Sequence, residues 1–247
     1  MELGSNTVLV TGGSSGIGLA LAERFLGAGS RVIVCARRED KLREIREAHP
    51  EMVTRACDVA LESERVRLFE WATEEFPNLN VLVNNAGIQR RVQLAEGEER
   101  EQVRQEITIN FDAPVHLSML FIPHLVRQER PAVINVTSGL AFSPLARVPV
   151  YCATKAALRS FTLSLRRQLS ETSVQVIEII PPAVNTDLGG PGLHTFGVPL
   201  DQFADSTMEK LQRGELEIAY GFSESARTAS RAELDAIFER MNSQDPV

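Results

Sequence analysis

The sequence predicts an α/β fold in which one doubly wound, parallel β-sheet carries helices on both faces. Short β-rich runs alternate with longer helical patterns along almost all of the 247 residues. The 43% hydrophobic content is enough for one substantial core, so we expect a single domain over residues 1–247. Strands joined through helices run parallel and need both sheet faces covered, which places a ligand crevice at their carboxyl ends.

The predicted elements follow one another regularly through the first three quarters of the chain. Apolar and β-branched runs predict strands at Thr7–Thr11, Arg31–Ala36, Met52–Asp58, Val81–Asn84, Ala132–Thr137 and Val174–Ile180. Helical periodicity predicts helices at Ile17–Gly27, Glu39–Ala48, Glu62–Phe76, about Glu98–Arg127 and Tyr151–Ser170. Pro114 falls inside the fourth helix, where a proline costs about 3 kcal/mol, so we expect a distortion near Asn110.

A segment rich in glycine and proline, Gly189–Pro199, interrupts this alternation. A long loop whose composition is not that of a disordered segment is often a lid, and we expect a substrate lid over about residues 187–213. A helix at Asp201–Arg213, a short strand at Glu217–Tyr220 and a last helix at Arg231–Met241 complete the predicted fold.

Charge and composition exclude several classes of function. A net charge of -7 argues against nucleic acid as a partner. The chain has no basic, apolar leader and no run of about 18 apolar residues, so we expect no membrane insertion. Three scattered cysteines indicate reduced thiols in a cytoplasmic protein, and no histidine or cysteine spacing indicates a metal site.

The first predicted strand ends in the glycine-rich turn Thr11–Gly18. Glycines at a strand-to-helix turn let the main chain approach a ligand, and the helix N-terminus favours a pyrophosphate. We therefore expect dinucleotide binding here; the alternative is a tight turn that only joins strand to helix. The expected cofactor contacts in this turn are Gly12, Ser14, Ser15, Gly16, Ile17 and Gly18.

Two arginines, Arg37 and Arg38, follow the second predicted strand. A dinucleotide fold usually places there a carboxylate for the ribose hydroxyl or an arginine for a 2′-phosphate. Ala36 stands where the acid is expected, and guanidinium groups suit a phosphate. The sequence therefore predicts NADP(H) rather than NAD(H); the alternative is a solvated charge cluster that opens the next helix.

Tyr151 and Lys155 are separated by one helical turn and lie on the same helix face. A phenol with a pKa near 10 is a poor proton donor at neutral pH, and a nearby ammonium favours its ionised form. The pair can therefore serve in acid–base chemistry. The spacing alone occurs by chance in many helices, so its meaning depends on the residues around it.

Together, these features resemble the short-chain dehydrogenase/reductase family, along essentially the whole chain. The matching residues, in this order, are Thr11-Gly12-x-x-x-Gly16-x-Gly18, Asp58-Val59, Asn84-Asn85-Ala86-Gly87, Asn110, Ser138 and Tyr151-x-x-x-Lys155. The resemblance implies a Rossmann-type fold and a carbonyl–alcohol oxidoreductase. The C-terminal part looks like bacterial members associated with the lipoteichoic acid D-alanylation cluster.

The resemblance also implies a role for each catalytic residue. Tyr151 would be the general acid in reduction and the general base in oxidation, and Lys155 would support the phenolate and bind the nicotinamide ribose. Ser138 would hold the substrate oxygen. Asn110 would hold a water that links Lys155 to solvent. The alternatives are a turn-forming serine at a strand end and an asparagine on an exposed helix face.

The remaining cofactor contacts are likewise implied by the resemblance. They are Asp58 and Val59 at the adenine, Asn85, Ala86 and Gly87 along the adenosine and ribose, and Pro181, Val184 and Thr186 at the nicotinamide. One departure concerns Pro182, which stands where the family usually has glycine. A proline fixes φ and removes an N–H group, so the path of the nicotinamide loop is in question.

For the substrate, the sequence predicts a small carbonyl or alcohol compound. Gln89, Arg90, Arg91 and Arg147 would form a cationic pocket rim that suits a polar or anionic substrate, and His194 of the lid would be a further contact. The alternatives for these side chains are solvated surface arginines and a histidine that takes no part. The resemblance implies a homodimer or homotetramer. The leading hypothesis is an NADP(H)-dependent oxidoreductase, and the alternative is a dinucleotide-binding sensor or scaffold without turnover.

Overall fold

The computed structural model describes residues 1–93, 97 and 100–243. Within them, one parallel sheet has the strand order β3-β2-β1-β4-β5-β6-β7. The strands are β1 Thr7–Thr11, β2 Arg31–Ala36, β3 Val53–Ala56, β4 Val81–Asn84, β5 Ala132–Val136, β6 Gln175–Ile180 and β7 Glu217–Ala219. The order reverses between β1 and β4, which is where such a sheet opens a ligand crevice. The predicted fold class is confirmed.

Helices cover both faces of this sheet. They are α1 Gly16–Gly27, α2 Glu39–Ala48, α3 Glu62–Glu75, α4 Arg100–Ile107, α5 Ala113–Leu125, α6 Pro149–Gln168, α7 Leu200–Gln212, α8 Phe222–Thr228 and α9 Arg231–Asn242. Val8 and Val10 of β1 pack with Phe25 of α1 in one core. Leu9, which points the other way, packs with Phe121 of α5 in a second core. This alternation of side chains fixes the register of β1 between two helical layers.

The prediction of one long helix over Glu98–Arg127 is wrong in its continuity, and Glu98 lies outside the described residues. A π-helical turn, Thr108–Asp112, separates α4 from α5. Pro114 lies in the first turn of α5, where a missing N–H costs little. The expected distortion is therefore present as a π turn, and Asn110 lies within it. Such turns are frequent at functional sites.

The C-terminal part contains one helix that the sequence did not predict, α8, which has only seven residues. Helix α9 begins at a capping box in which Ser230 and Glu233 bond each other's main-chain N–H groups. It ends at the loop before α6, where the Asn242 side chain accepts a 2.6 Å bond from the Ala146 N–H. In the described ranges, no helix combines the length and apolar character needed to cross a bilayer.

Candidate active site

The glycine-rich turn is tightly packed where β1 meets α1. Gly12 has a φ of 63°, and a Cβ atom there would lie 2.7 Å from the Cα of Ala86. A Cβ on Gly18 would lie 2.3 Å from Nδ2 of Asn85. No larger residue fits either position without displacing its neighbours. Glycine at these two positions therefore lets the turn pack closely against the segment that follows β4.

Thr11 and Asn85 hold this turn against the end of β4. The hydroxyl of Thr11 accepts bonds from the N–H groups of Asn85 and Ala86, at 3.0 and 3.1 Å. Nδ2 of Asn85 donates to the carbonyls of Thr11 and Gly12, at 3.0 and 3.2 Å. The Asn85 side chain thus fixes the turn. The predicted contact between Asn85 and the adenosine part of the cofactor would therefore be made by the main chain of Asn85.

The other residues predicted in this turn lie on different sides of it. Ser14 is buried and Ser15 is exposed, while Ile17 packs at the edge of a core cluster. The Oγ atom of Ser15 accepts a 3.0 Å bond from Nη2 of Arg38. A Cβ on Gly16 would lie 3.4 Å from Cγ2 of Thr186, so the segment after β6 reaches the glycine turn.

The two arginines after β2 point to different places. Arg38 reaches the glycine turn, whereas Arg37 lines a cavity of about 300 Å³ at the ends of β2 and β3. Asp58 lines the same cavity and accepts a 2.9 Å bond from the N–H of Ala60. The following residue, Val59, is buried in the core. The structure thus brings Arg37 and Asp58 together, beyond the glycine turn.

Tyr151 and Lys155 are buried at the carboxyl end of β5. Nζ of Lys155 lies 5.7 Å from the centre of the Tyr151 ring and donates a 2.7 Å bond to the carbonyl of Val136. Burial lowers the pKa of Lys155 to about 8. Burial also raises the pKa of Tyr151 well above its usual value, against the effect of the facing Ser138 hydroxyl. The structure therefore brings Ser138, Tyr151 and Lys155 into one group.

Asn110 lies beside this group but its side chain is already engaged. Its Oδ1 accepts a 2.8 Å bond from the Ile88 N–H, and its Nδ2 donates to the Ile88 carbonyl and to Thr154 Oγ1, at 2.8 and 3.2 Å. A Cβ on Gly87 would lie 3.4 Å from Oδ1 of Asn110 and 3.7 Å from Nζ of Lys155. A water bound by Asn110 would therefore need its main-chain carbonyl.

The segment after β6 takes a defined path despite Pro182. The carbonyl of Pro181 accepts a 2.9 Å bond from the Gly139 N–H. Val184 pairs with Val198 in a parallel bridge, and its side chain is buried in the core. Any contact between Val184 and a cofactor is consequently limited to its main chain.

Apolar side chains gather beside Tyr151. Val148, Tyr151 and Cys152 form a buried cluster, and the partly buried side chains packed against it are Leu140, Leu145 and Leu188. Leu188 comes from the expected lid. Cys152 is thus a packed thiol, whose N–H···S partner is Leu145 at 3.3 Å.

Two arginines and a histidine approach one another at this end. Burial and the nearby Arg91 lower the pKa of Arg147. Burial lowers the pKa of His194, and Arg147 lowers it further. The 3.1 Å bond from the Val92 N–H to the Arg147 carbonyl holds the two arginine-bearing segments together.

Several site residues could not be identified from sequence motifs. Arg55 and Arg67 line the same cavity as Arg37. For Arg55, the only indication was the parallel pairing of β2 and β3, which places it opposite Cys35. Glu106 was also missed; it precedes Asn110 by one helical turn and is fully buried. In the part of the chain that the structure describes, no cluster of histidine, cysteine or acidic residues could hold a metal.

Comparisons with known proteins agree with this geometry. The sequence profile of a family described as short chain dehydrogenase matches residues 6–193. The uncharacterized oxidoreductase DltE of Bacillus subtilis is 51% identical, covering 99% of this chain and 100% of that protein. The NADP-dependent 3-hydroxy acid dehydrogenase YdfG of Escherichia coli K12 is 32% identical over 72% of each chain. The narrower resemblance of the C-terminal part is confirmed by the first of these relatives.

A solved structure shows the same fold throughout. A short chain dehydrogenase from Burkholderia cenocepacia, crystallised in complex with NADP, superposes with a TM-score of 0.85 at 25% identity. The match covers 98% of this chain and 99% of that one. The family profile and the full-length relative together establish membership: the chain belongs to the short-chain dehydrogenase/reductase family of oxidoreductases.

Proposed function

We propose that the protein is an NADP(H)-dependent oxidoreductase that interconverts a carbonyl and a secondary alcohol, with Tyr151 as the general acid and base. The observation that carries this proposal is the buried group of Ser138, Tyr151 and Lys155 at the end of β5. This group and the glycine turn lie at the same edge of the sheet, because each follows the carboxyl end of a parallel strand. The crevice can therefore hold a dinucleotide and a substrate together.

Each residue of this group has a distinct task. The cofactor supplies or accepts the hydride when it is bound. Ser138 donates a hydrogen bond to the substrate oxygen, and Tyr151 gives that oxygen its proton during reduction. Lys155 keeps most of its charge at neutral pH because its pKa is about 8, and that charge stabilises the phenolate left behind. We propose that it also binds the nicotinamide ribose.

The proton lost by Tyr151 needs a route back from solvent. We propose that Asn110 provides it through a water bound to its main-chain carbonyl, because its side chain is engaged with Ile88 and Thr154. The π turn around Asn110 changes the helical hydrogen-bond pattern there, which supports this role.

The preference for NADP(H) is supported by the arginines around the cavity at β2 and β3. Arg37, Arg55 and Arg67 bring three positive charges to a space that Asp58 and Glu64 share. A 2′-phosphate suits such a set of guanidinium groups. The Burkholderia protein was crystallised with NADP, and the name of the YdfG relative specifies NADP dependence. Gly12, Gly16 and Gly18 would lie along the pyrophosphate.

The substrate that best fits the rim carries an anionic group. Arg91, Arg147 and His194 come from three separate segments and meet beside the apolar cluster around Tyr151. A carboxylate would be favoured near the two guanidinium groups. The YdfG relative is named for 3-hydroxy acids, which carry such a group.

We propose a single cytoplasmic domain that forms a homodimer or homotetramer. The continuous sheet supports one domain. Apolar side chains exposed around α4, α5 and α6 offer an interface: Ile107, Met119, Val126 and Leu163. Exposed apolar side chains on neighbouring helices are consistent with a protein–protein contact there. Light scattering of the purified protein tests this part, and a monomer mass would contradict it.

A turnover screen tests the proposed activity. The wild type is incubated with NADPH or NADH and a panel of aldehydes, ketones, sugars and keto acids, and the loss of cofactor fluorescence is followed. We expect turnover with NADPH and the highest kcat/KM among the anionic carbonyls. If NADPH binds but no compound is reduced, and no polyol or hydroxy acid is oxidised with NADP, the sensor or scaffold alternative is favoured.

A further inference from the structure

Glu178 of β6 is a buried acid that the proposed mechanism does not use. Its side chain is 0% exposed, and both of its carboxylate oxygens have partners. Oε1 accepts a 2.7 Å bond from the Thr137 hydroxyl, and Oε2 accepts a 2.5 Å bond from Nη1 of Arg159. A carboxylate that is removed from water requires such partners. Glu178 therefore links the chain that follows β5 to helix α6.

Each partner of Glu178 is joined to a residue of the proposed catalytic group. Thr137 directly precedes Ser138 in the chain. Arg159 lies on α6, about two helical turns after Tyr151. The buried carboxylate thus connects the segment that carries Ser138 to the helix that carries Tyr151.

Arg159 also holds the segment on the other side of Ser138. Its Cζ atom lies 4.3 Å from the centre of the Phe142 ring. Phe142 ends the short helical turn that Ser138 begins. A guanidinium group over an aromatic face is attracted to the ring. The same guanidinium therefore contacts Phe142 directly and reaches Thr137 through Glu178.

We propose that Arg159 and Glu178 are positioning residues, which hold the Ser138 hydroxyl in the place that a shared substrate oxygen requires relative to Tyr151. They act through Ser138, because the bond from Glu178 ends at the residue before it and the contact of Arg159 ends in the turn after it. A displacement of about 1 Å in such a group can cost about 10²-fold in rate. The effect on turnover rests on the proposed function, whereas the hold on this segment can be measured without substrate.

The test changes both residues together, since removing Arg159 alone would leave the Glu178 carboxylate buried without its cation. The double variant Arg159→Met/Glu178→Gln removes both charges, keeps side chains of similar size and leaves an amide oxygen for the Thr137 hydroxyl. Arg166→Met is the matched control on the same helix, with a side chain that is 23% exposed against 19% for Arg159. The guanidinium of Arg166 is bonded to Glu217 and to two main-chain carbonyls.

The first experiment measures kcat and NADPH affinity with a substrate found in the turnover screen. The double variant should lose about tenfold in kcat and keep its NADPH affinity. In a Ser138→Ala background, the same double change should lower kcat by less than about twofold, because the group that it positions is already absent. Equal losses in both backgrounds, or a folded double variant with the kcat of Arg166→Met, would overturn the proposal.

The second experiment follows hydrogen exchange of the full chain by mass spectrometry, without substrate. The amides from Thr137 to Phe142 should exchange faster in the double variant than in the wild type and in Arg166→Met, because the segment has lost its link to α6. Thr137→Val breaks only the bond nearest to Ser138. It should show the same direction and a kcat loss of about threefold, and it carries the test if the double variant does not fold. Unchanged exchange in the folded variants would overturn the proposal.

The two experiments separate the failure of this proposal from the failure of the proposed function. A wild type that turns over no substrate, with faster exchange around Ser138 in the double variant, contradicts the oxidoreductase activity and leaves the hold on this segment intact. A wild type that turns over substrate, with equal kcat losses in the two backgrounds, contradicts the positioning role alone.

Discussion

The two ends of the crevice differ in which part of the chain forms them and in whether their charged groups are buried. At the glycine turn, glycines let the main chain pack closely against Ala86 and Asn85, and the charged side chains nearby, Arg37 and Arg38, are exposed. Around Tyr151 and Lys155, the surface consists of buried side chains whose pKa values are shifted by burial. One end offers shape and fixed charge to a ligand. The other end holds Tyr151 and Lys155, which are buried groups whose charge can change during a reaction.

From this difference we predict which property of the protein a substitution at each end should change. Changes at the glycine turn should alter cofactor affinity and folding, because the main chain there has no room for added atoms. Changes at the buried group should alter turnover and its pH dependence, and can even stabilise the fold, since burying an ionisable group costs free energy.

The largest expected effect is on turnover in Tyr151→Phe. The change removes the proposed proton donor and keeps the ring, so kcat should fall by about 10²–10⁴-fold while NADPH affinity changes little. Tyr220→Phe is the matched control, because the chain has only two tyrosines. Steady-state kinetics and fluorescence titration measure the two quantities. Equal activity of the two variants would remove Tyr151 from the mechanism.

The next largest effect is expected for Gly12→Ala. The new Cβ would meet Ala86 at 2.7 Å and the residue would keep a φ of 63°, so we expect a loss of about 2 kcal/mol in stability and at least a tenfold weaker binding of NADPH. Gly29→Ala shares a positive φ but its Cβ would meet nothing within 4 Å. This control should lose only about 1 kcal/mol of stability. Unchanged NADPH affinity in Gly12→Ala would contradict the proposed pyrophosphate site.

Lys155→Met should stabilise the protein while abolishing turnover. The pKa of Lys155 is about 8 when folded, below the 10.5 of a free lysine, so the folded state disfavours the charged form. This penalty is complete below about pH 8 and disappears as the pH rises to 10.5, so the wild type gains stability across that window. We expect the variant to be more stable by on the order of 2 kcal/mol at pH 7.

Chemical denaturation of Lys155→Met and wild type at pH 7 and pH 10 measures this difference, with Lys41→Met as the control at the surface of α2. The stability gain should shrink between the two pH values. A variant that is less stable than the wild type at pH 7 would show that the bond from Lys155 to the Val136 carbonyl outweighs the cost of burying the charge.

The smallest effect is expected on cofactor binding when Arg37 or Arg38 is replaced. Arg37→Ala should weaken NADPH binding by about tenfold and leave NADH binding unchanged, since one charge-assisted contact with the 2′-phosphate would be lost. The side chain of Arg38 is directed to Ser15, so Arg38→Ala should weaken the binding of both cofactors to a similar degree. Fluorescence titrations of both variants with both cofactors measure this. A wild type that binds NADH more tightly would contradict the NADP(H) preference.

The sequence predicted the fold and the glycine turn well because both depend on local patterns. The short apolar run Val8-Leu9-Val10 and the spacing of Gly12, Gly16 and Gly18 are visible without any tertiary contact. The π turn around Asn110 was not predicted as such, because helical periodicity continues through it and only Pro114 indicated a change. The short helix α8 has too few residues for a periodicity to emerge.

The buried partners of the site were beyond sequence reasoning for a different reason. The side chain of Asn110 is bonded to Ile88 and Thr154, contacts that depend on how the π turn packs against the segment after β4 and against α6. Glu106 looks like an ordinary polar helix residue until the packing of α4 on α6 buries it. Burial and the identity of neighbours in space decide the chemistry of both residues, and neither is encoded in local spacing.

The central claim is that this crevice transfers a hydride between NADP(H) and a carbonyl carbon. The most direct measurement uses NADPH deuterated at the reactive position of its nicotinamide, with the best carbonyl of the turnover screen and mass spectrometry of the alcohol. We predict one deuterium on the carbinol carbon of each alcohol formed by the wild type. Alcohol that forms without deuterium, or NADPH that binds and transfers nothing to any carbonyl, would contradict the claim.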